Sequence, residues 1–135
     1  MKLLFLGASS FTGYHFVKKI SKTKKYKIYC TLTKNLSQYD AIRLERIKLL
    51  SKYKNIIFIN KTKFGDKKFI NLLSEEKFDF ICLHHASTKN YNDDSKFNLN
   101  KSLKKNTLNI NSVFNKINRE ATIIISNTIF QKIPS

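Results

Sequence analysis

The sequence predicts an α/β fold, in which a mostly parallel sheet is doubly wound with helices. Short apolar runs typical of buried strands alternate with longer segments whose apolar residues recur every three or four positions. Five such runs with four helical segments between them are typical of an open parallel sheet. The 135 residues contain no internal repeat or change of composition, so we expect one domain over residues 1–135.

Five strands are predicted from runs of apolar, β-branched and aromatic residues. In chain order they are Lys2–Leu6, Tyr26–Leu32, Asn55–Ile59, Phe78–Leu83 and Ala121–Ile125. In a doubly wound sheet of this kind we expect the order 3-2-1-4-5, which places the third and fifth strands at the edges.

Four helices are predicted from the spacing of apolar side chains. In chain order they are a segment from Phe11 to about Ile20, Ala41–Leu50, a segment after Gly65, and Leu99–Ile117. Phe11 and Val17 belong to the predicted apolar face of the first helix, and Asp66 is placed to cap the third. Residues 87–96 are polar and are predicted to form a loop.

The chain carries a net charge of +17, which suits a polyanionic partner. All of its 26 basic residues except Arg43, Arg46 and Arg119 are lysines. Proteins that read nucleic acid depend on arginine for bidentate and stacking contacts. Lysine, asparagine and isoleucine are also encoded by A/T-rich codons, so codon usage explains the basicity about as well as nucleic-acid binding does, and we do not expect nucleic acid to be the main partner.

Several classes of protein do not fit the sequence. The apolar run Leu3–Leu6 is too short for a signal peptide, and no segment has the length of a membrane span. Cys30 and Cys82 lie in separate apolar runs, which favours reduced thiols and a cytoplasmic protein. His84 and His85 are adjacent at a strand end and point to opposite faces, so we expect packing and no metal site.

The stretch FLGASSFTGYHF, Phe5–Phe16, contains two of the three glycines in the chain. Gly7 directly follows the first predicted strand, and Gly13 lies at the start of the first predicted helix. A glycine turn there lets the backbone approach a pyrophosphate, which the N–H groups and partial positive charge of the helix N-terminus attract. The spacing matches the outer glycines of G-x-x-G-x-x-G, with Ser10 in the middle place. The pattern favours a Rossmann-type domain with a dinucleotide site.

These residues resemble the extended short-chain dehydrogenases/reductases, the NAD-dependent epimerase/dehydratase family that acts on nucleotide sugars. Met1–Gly13 is similar to the family's opening ILVTGASGFIG, and DFICLHHA, Asp79–Ala86, is similar to its fourth-strand pattern D-V-V-I-H-L-A-A. NTLNI, from Asn106, is similar to N-V-x-G-T, and IISNTIF, Ile124–Phe130, is similar to I-S-S/T-x-x-V-Y. The resemblance covers the whole chain and the N-terminal half of the family.

The resemblance implies a set of cofactor contacts. The residues around the pyrophosphate are Gly7, Ser10, Phe11, Thr12 and Gly13. The residues beside the nicotinamide end are His85, Ala86 and Asn106. After the second strand, Thr33 and Lys34 stand where an NAD-selective protein has an acidic residue, so the expected cofactor is NADP or NAD, with NADP favoured. Ser10 either weakens binding or replaces a backbone contact by a hydroxyl hydrogen bond to phosphate.

The resemblance also shows what the chain lacks. The family's Tyr-x-x-x-Lys pair, which transfers the proton, has no counterpart in a suitable position. Thr128 is the nearest candidate for the hydroxyl that assists this tyrosine, with Asn127 as the alternative register. We therefore expect a truncated NAD(P)-binding domain that is not catalytic alone, whose further partners are a nucleotide sugar or a missing C-terminal half.

Two alternatives remain open at this stage. One is a basic Rossmann-like module that binds RNA or a protein, and the other is a degenerate gene fragment. If the half that would cover the fifth strand is missing, the exposed edge of that strand predicts self-association.

Overall fold

A computed structural model describes residues 1–86 and 95–126 as a parallel α/β domain. The strands are β1 (Lys2–Leu6), β2 (Lys27–Thr31), β3 (Ile56–Ile59), β4 (Phe80–Leu83) and β5 (Thr122–Ile125). The helices are α1 (Phe11–Lys22), α2 (Ala41–Leu50), α3 (Lys67–Glu75), α4 (Leu99–Asn106) and α5 (Ile110–Lys116), with a short 3₁₀ turn at Leu36–Gln38. The sheet order is β3-β2-β1-β4-β5 with every pairing parallel. The predicted fold class and strand order are confirmed, and each predicted strand is present to within two residues at either end.

The core has two layers because alternate residues of each strand point to opposite faces. Leu3 and Phe5 of β1 pack on one face against α1 and α2, which we call the α1 face of the sheet. Leu4 and Leu6 pack on the other face against α3 and α5, which we call the α3 face. Cys30 and Cys82 are buried free thiols on the α1 face, as the sequence predicts.

Carboxylates and amides fix where the helices begin. The side chain of Asp40 accepts a hydrogen bond from the N–H of Arg43 at the start of α2, and Asp66 accepts one from the N–H of Phe69 at the start of α3. Each carboxylate is a hydrogen-bond acceptor for an N–H group that has no backbone partner in the first turn of a helix. The predicted cap at Asp66 is confirmed.

The single helix predicted over Leu99–Ile117 is wrong. The segment forms two helices, α4 and α5, and Asn109 between them has a left-handed backbone with a φ of 49°. Its side-chain amide donates a hydrogen bond of 2.8 Å to the carbonyl of Gly65. Gly65 itself has a φ of 74°, and a Cβ there would lie 1.7 Å from the carbonyl oxygen of Leu108. The helix therefore ends where its backbone meets the loop that follows β3.

The predicted apolar face of α1 is correct only in part. Val17 is fully buried, but Phe11 at the first position of the helix is 65% exposed. The Phe11 ring lies outside the core because it packs against His15 and the guanidinium of Arg46. Within the described ranges 1–86 and 95–126, no helix has the length and apolar character that crossing a bilayer requires.

Candidate functional site

The turn after β1 brings the ends of two strands into close contact. Gly7 has a φ of 89°, a backbone conformation that glycine adopts without strain. A Cβ at this position would lie 2.1 Å from the carbonyl oxygen of His84, which follows β4. Glycine is therefore required both by the turn and by the approach of the two chain segments.

Gly13 and Ser10 hold the turn in shape. A Cβ on Gly13 would lie 2.2 Å from the carbonyl oxygen of Gly7, so α1 packs directly on the turn. The Ser10 hydroxyl donates a hydrogen bond of 2.9 Å to that same carbonyl and accepts one of 3.0 Å from the N–H of Gly13. Ser10 is thus the N-cap of α1, and its hydroxyl is already engaged within the turn.

A cleft of about 390 Å³ opens at the carboxyl ends of the strands, around this turn. Such a crevice forms where the strand order reverses, here between β1 and β4. The lining residues come from the turn, the ends of β2 and β4, and the start of α2; among them are Gly7, Ser10, Thr33, Arg43, His85 and Ala86. Among the lining residues in the described part of the chain, Arg43 is the one charged side chain apart from the histidines, and no carboxylate is present.

Two arginines of α2 lie beside the glycine turn. Arg43 lines the cleft, and its Nε lies 3.5 Å from an oxygen of Asp40. Arg46 donates a hydrogen bond of 3.3 Å to the carbonyl of Ser9, and its guanidinium lies 5.6 Å from the centre of the Phe11 ring. The sequence prediction missed both residues. The sequence did offer a sign of them, because two of its three arginines lie three positions apart in one predicted helix.

The loop after β2 supplies hydroxyl groups and a second cation. Thr33 and Tyr39 both line the cleft, and their hydroxyl oxygens are 3.4 Å apart. The ammonium group of Lys34 lies 6.0 Å from the centre of the Tyr39 ring, outside the lining of the cleft itself. The predicted pair Thr33 and Lys34 is thus divided, with Thr33 in the cleft and Lys34 behind the tyrosine.

The two histidines after β4 point to opposite faces of the sheet. Nδ1 of His84 lies 2.7 Å from the hydroxyl oxygen of Ser126, and its ring approaches Phe16 of α1. The His85 ring stacks on Phe64 at 4.9 Å, and both of its nitrogens are shielded from solvent. Burial lowers the pKa of each imidazole, which favours the neutral form.

No group of residues suited to a metal ion occurs within 1–86 and 95–126. The structure brings five of the predicted cofactor residues to the cleft: Gly7, Ser10, Thr33, His85 and Ala86. The other five do not line it: Phe11, Thr12, Gly13, Lys34 and Asn106. Asn106 is the last residue of α4, and the nearness of its backbone raises the pKa of His85, against the larger lowering by burial. Thr128 and Asn127 lie outside the described residues.

Comparison with solved structures identifies the architecture. A UDP-glucuronic acid 4-epimerase from Bacillus cereus, solved with its UDP-sugar ligand and NAD, superimposes with a TM-score of 0.68 at 17% identity over 93% of this chain. The chain has a Rossmann-like fold. It spans 39% of the length of that epimerase.

Other similar structures come from enzymes of several kinds. The UDP-Glc/GlcNAc 4-epimerase of Campylobacter jejuni has a TM-score of 0.64 at 25% identity, over 85% of this chain and 32% of its own. A thiolation-reductase di-domain from an archaeal non-ribosomal peptide synthetase has a TM-score of 0.65 at 20% identity, over 92% of this chain and 34% of its own. No family model and no curated protein matches the sequence.

Proposed function

We propose that this chain is the nicotinamide-dinucleotide-binding part of an epimerase, dehydratase or reductase. The observation that carries the proposal is the cleft between β1 and β4, where the glycine turn meets the arginines of α2. The similar structures support it, since the Bacillus cereus epimerase was solved with NAD. They include both epimerases and reductases, so their titles do not select a substrate.

The glycine turn fits a pyrophosphate. The Ser10 hydroxyl accepts a hydrogen bond from the N–H of Gly13, and the Ser10 carbonyl accepts one from the N–H of Tyr14. Phe11 and Thr12 occupy the first two positions of α1. Within the described residues, no acceptor forms a hydrogen bond with their N–H groups. These two residues follow Ser10, which lines the cleft, and do not line it themselves; their N–H groups and the positive end of the helix would hold diphosphate oxygens at this end of the cleft. Because the Ser10 hydroxyl is engaged in capping, backbone donors carry this contact.

The end of β2 fits a 2′-phosphate better than a free ribose hydroxyl. NAD-selective domains place an acidic residue here to accept the hydroxyl proton. This cleft instead has Arg43, with Thr33 and Tyr39 beside it and Lys34 close behind. A guanidinium binds phosphate oxygens through paired N–H groups. We therefore propose NADP as the preferred cofactor.

The proposal concerns binding and not turnover by this chain alone. A bound nicotinamide supplies hydride transfer, and the protein orients it. His85 and Ala86 would form the wall beside the nicotinamide ribose, with Phe64 behind the His85 ring. The sequence has no Tyr-x-x-x-Lys pair in a suitable position to move the accompanying proton. We propose that a complementary half provides it.

Titration with NADPH and NADH tests this function. The wild-type chain should bind NADPH more tightly, and Arg43→Gln should weaken NADPH binding by roughly tenfold while changing NADH binding little, because a charged hydrogen bond is lost. Lys19→Gln is the matched control, since Lys19 is an exposed cation in the last turn of α1. Equal effects of Arg43→Gln on both cofactors would contradict the assignment of the 2′-phosphate.

A titration with short RNA in rising salt separates the basic-module alternative. RNA binding that weakens steeply with salt, in a chain that binds neither dinucleotide, would replace the proposal with a nucleic-acid function. Steady turnover of a sugar nucleotide by the 135-residue chain would contradict the need for a complementary half.

A further inference from the structure

A lysine-rich surface lies at the amino edge of the sheet, at the opposite end of the strands from the cleft. It is formed by the segment between α1 and β2 and by the segment between α2 and β3. The two segments are neighbours because β2 and β3 are paired and parallel, so that both strands begin at this edge. All of the lysines in this surface are exposed, and we call it the lysine edge: Lys22, Lys24, Lys25, Lys52 and Lys54.

The side chain of Asn55 joins the two segments of the lysine edge. Its amide donates hydrogen bonds of 3.0 Å to the carbonyls of Ser21 and Tyr26. Those two residues flank the lysines of the first segment, and Asn55 itself directly follows Lys54. The charges of both segments are therefore held in one place and not on two independent loops.

The positive charge of the lysine edge is not neutralised within the described residues. None of its lysines forms an ion pair with a carboxylate of residues 1–86 or 95–126. Carboxylates at the amino edge lie instead near the starts of β1, β4 and β5: Glu75, Glu76, Asp79 and Glu120. Lysine occupies five of the ten positions 21–25 and 51–55, and no acidic residue occurs there. Codon usage raises the lysine content of the whole chain and does not separate the two charges, so the lysine edge is a distinct feature.

The residue types of the lysine edge favour the phosphate groups of a nucleic acid. A lysine ammonium group is a point charge that contacts phosphate oxygens without reading the bases. A membrane surface fits less well, because neither segment exposes a large apolar side chain that could enter a bilayer.

A tyrosine lies next to the lysines of each segment, and both rings are partly exposed. The Tyr26 ring packs against Phe80, whereas no aromatic ring of the described residues packs against Tyr53. Unpaired bases stack on such rings, and lysines beside an aromatic ring are typical of surfaces that bind single strands. Tyr53 is therefore the stacking platform that the lysine edge offers.

We propose that the lysine edge binds the sugar-phosphate backbone of single-stranded nucleic acid, as a second site separate from the cleft. The lysines of both segments would contact successive phosphates, and one base would stack on Tyr53. Binding should not depend on base sequence, because phosphate contacts carry no sequence information. The inference does not rest on the proposed dinucleotide function, since no residue of the lysine edge lines the cleft.

Titration with a fluorescein-labelled oligouridylate at several salt concentrations tests the lysine edge. For a single strand, each neutralised phosphate adds about 0.7 to the fall of log affinity with log salt, so contacts from all of its lysines predict a slope of about −3.5. Lys25→Gln/Lys54→Gln should weaken binding roughly tenfold and reduce the slope by about 1.4. Lys101→Gln/Lys104→Gln is the matched control, since it removes two exposed lysines of α4 and should change both values little.

Variants of Tyr53 separate stacking from charge. Tyr53→Leu should weaken oligouridylate binding roughly fivefold and leave the salt slope unchanged, because it removes a ring and no charge. Tyr53→Phe keeps the ring and should bind as the wild type does. An oligodeoxyuridylate of the same length should bind about as tightly as the oligouridylate, because nothing in the lysine edge is assigned to the 2′-hydroxyl group.

Several results would overturn the proposal. They are a salt slope near zero, equal binding by the two double-lysine variants, and equal binding by Tyr53→Leu and Tyr53→Phe. Polyglutamate that competes as well as the oligouridylate would assign the surface to an acidic protein. Phosphatidylserine vesicles that bind the chain when the oligouridylate does not would assign it to a membrane.

Saturating NADPH keeps this inference separate from the proposed function. The affinity for the oligouridylate should be the same with and without NADPH, because the lysine edge and the cleft lie at opposite ends of the strands. Displacement of the oligouridylate by NADPH would mean that the nucleic acid occupies the cleft, and would overturn the inference. Oligouridylate binding without NADPH binding removes only the proposed function, and the reverse result removes only the lysine edge.

Discussion

The two halves of the sheet, one around β2 and the other ending at β5, differ in how completely their strands are buried. In β2, Ile28 is fully buried, and four of the five residues of the strand are buried. In β5, Ile125 is 68% exposed, and none of the four residues is buried. Parallel sheets are normally covered on both faces. The part of the sheet around β1 and β2 therefore has the burial of a finished domain, and β5 does not.

The difference matters because the candidate site spans both halves. The glycine turn, α2 and the end of β2 belong to the covered half, where packing fixes their positions. Ser126, which lines the cleft and follows β5, belongs to the exposed half. Cofactor recognition therefore rests on packed elements, whereas the far wall of the cleft follows a strand that no helix of the described residues covers. The four predictions that follow test this contrast in order of decreasing effect.

The same substitution in the two halves should have very different costs. Ile28→Ala removes buried side-chain atoms and should lower the free energy of unfolding by about 2–5 kcal/mol. Ile125→Ala should change it by less than about 0.5 kcal/mol, because the side chain is largely in solvent already. Urea denaturation followed by circular dichroism measures both values. Similar losses for the two variants would show that β5 is covered in solution.

Contact between α1 and the glycine turn predicts a second large effect. Gly13→Ala places a Cβ against the carbonyl of Gly7 and should cost about 1–3 kcal/mol of stability. Lys19→Ala, on the exposed side of the same helix, is the control and should not destabilise the chain, since alanine favours helices. An unchanged urea midpoint for Gly13→Ala would mean that the turn relaxes away from α1.

The cap at Ser10 predicts a smaller effect. Ser10→Ala should cost about 1 kcal/mol, and Ser10→Gly only a few tenths, because glycine is tolerated at an N-cap. Neither variant removes the backbone donors proposed for the pyrophosphate, so NADPH affinity measured under folding conditions should change little. A large loss of affinity in both variants would show that the hydroxyl itself contacts the cofactor.

An ion pair at the amino edge of the sheet predicts the smallest effect, which depends on pH. The hydrogen bond from Lys2 lowers the pKa of Glu76 at the end of α3, and Tyr29 donates a second hydrogen bond to it. A lowered carboxyl pKa contributes stability that is present above about pH 4.3, the unfolded value, and is lost as the pH falls through the folded pKa.

Glu76→Gln should therefore lower the urea midpoint slightly near neutral pH, where the pair contributes, and the profiles of the variant and the wild type should converge as the pH falls. Glu45→Gln, on the exposed face of α2, is the matched control. Parallel acid profiles for wild type and Glu76→Gln would show that the pair contributes nothing in solution.

The strands and the glycine turn were predictable because their causes are local. Buried parallel strands are continuous apolar runs, and the turn at Gly7 demands a residue without a side chain. The break at Asn109 was not predictable, since apolar residues keep helical spacing through it and its cause is a contact with Gly65, distant in sequence. Arg43 was missed for a similar reason. Only the fold brings the start of α2 to the end of β1.

The closed geometry around Ser10 also has a kinetic consequence. Its hydroxyl is hydrogen-bonded to the carbonyl of Gly7 and to the N–H of Gly13, and Arg46 joins the carbonyl of Ser9 to α2. A loop already held in its final shape loses little conformational freedom when a molecule arrives. Association should then follow a single exponential whose rate rises linearly with NADPH concentration, with no slow phase for rearrangement.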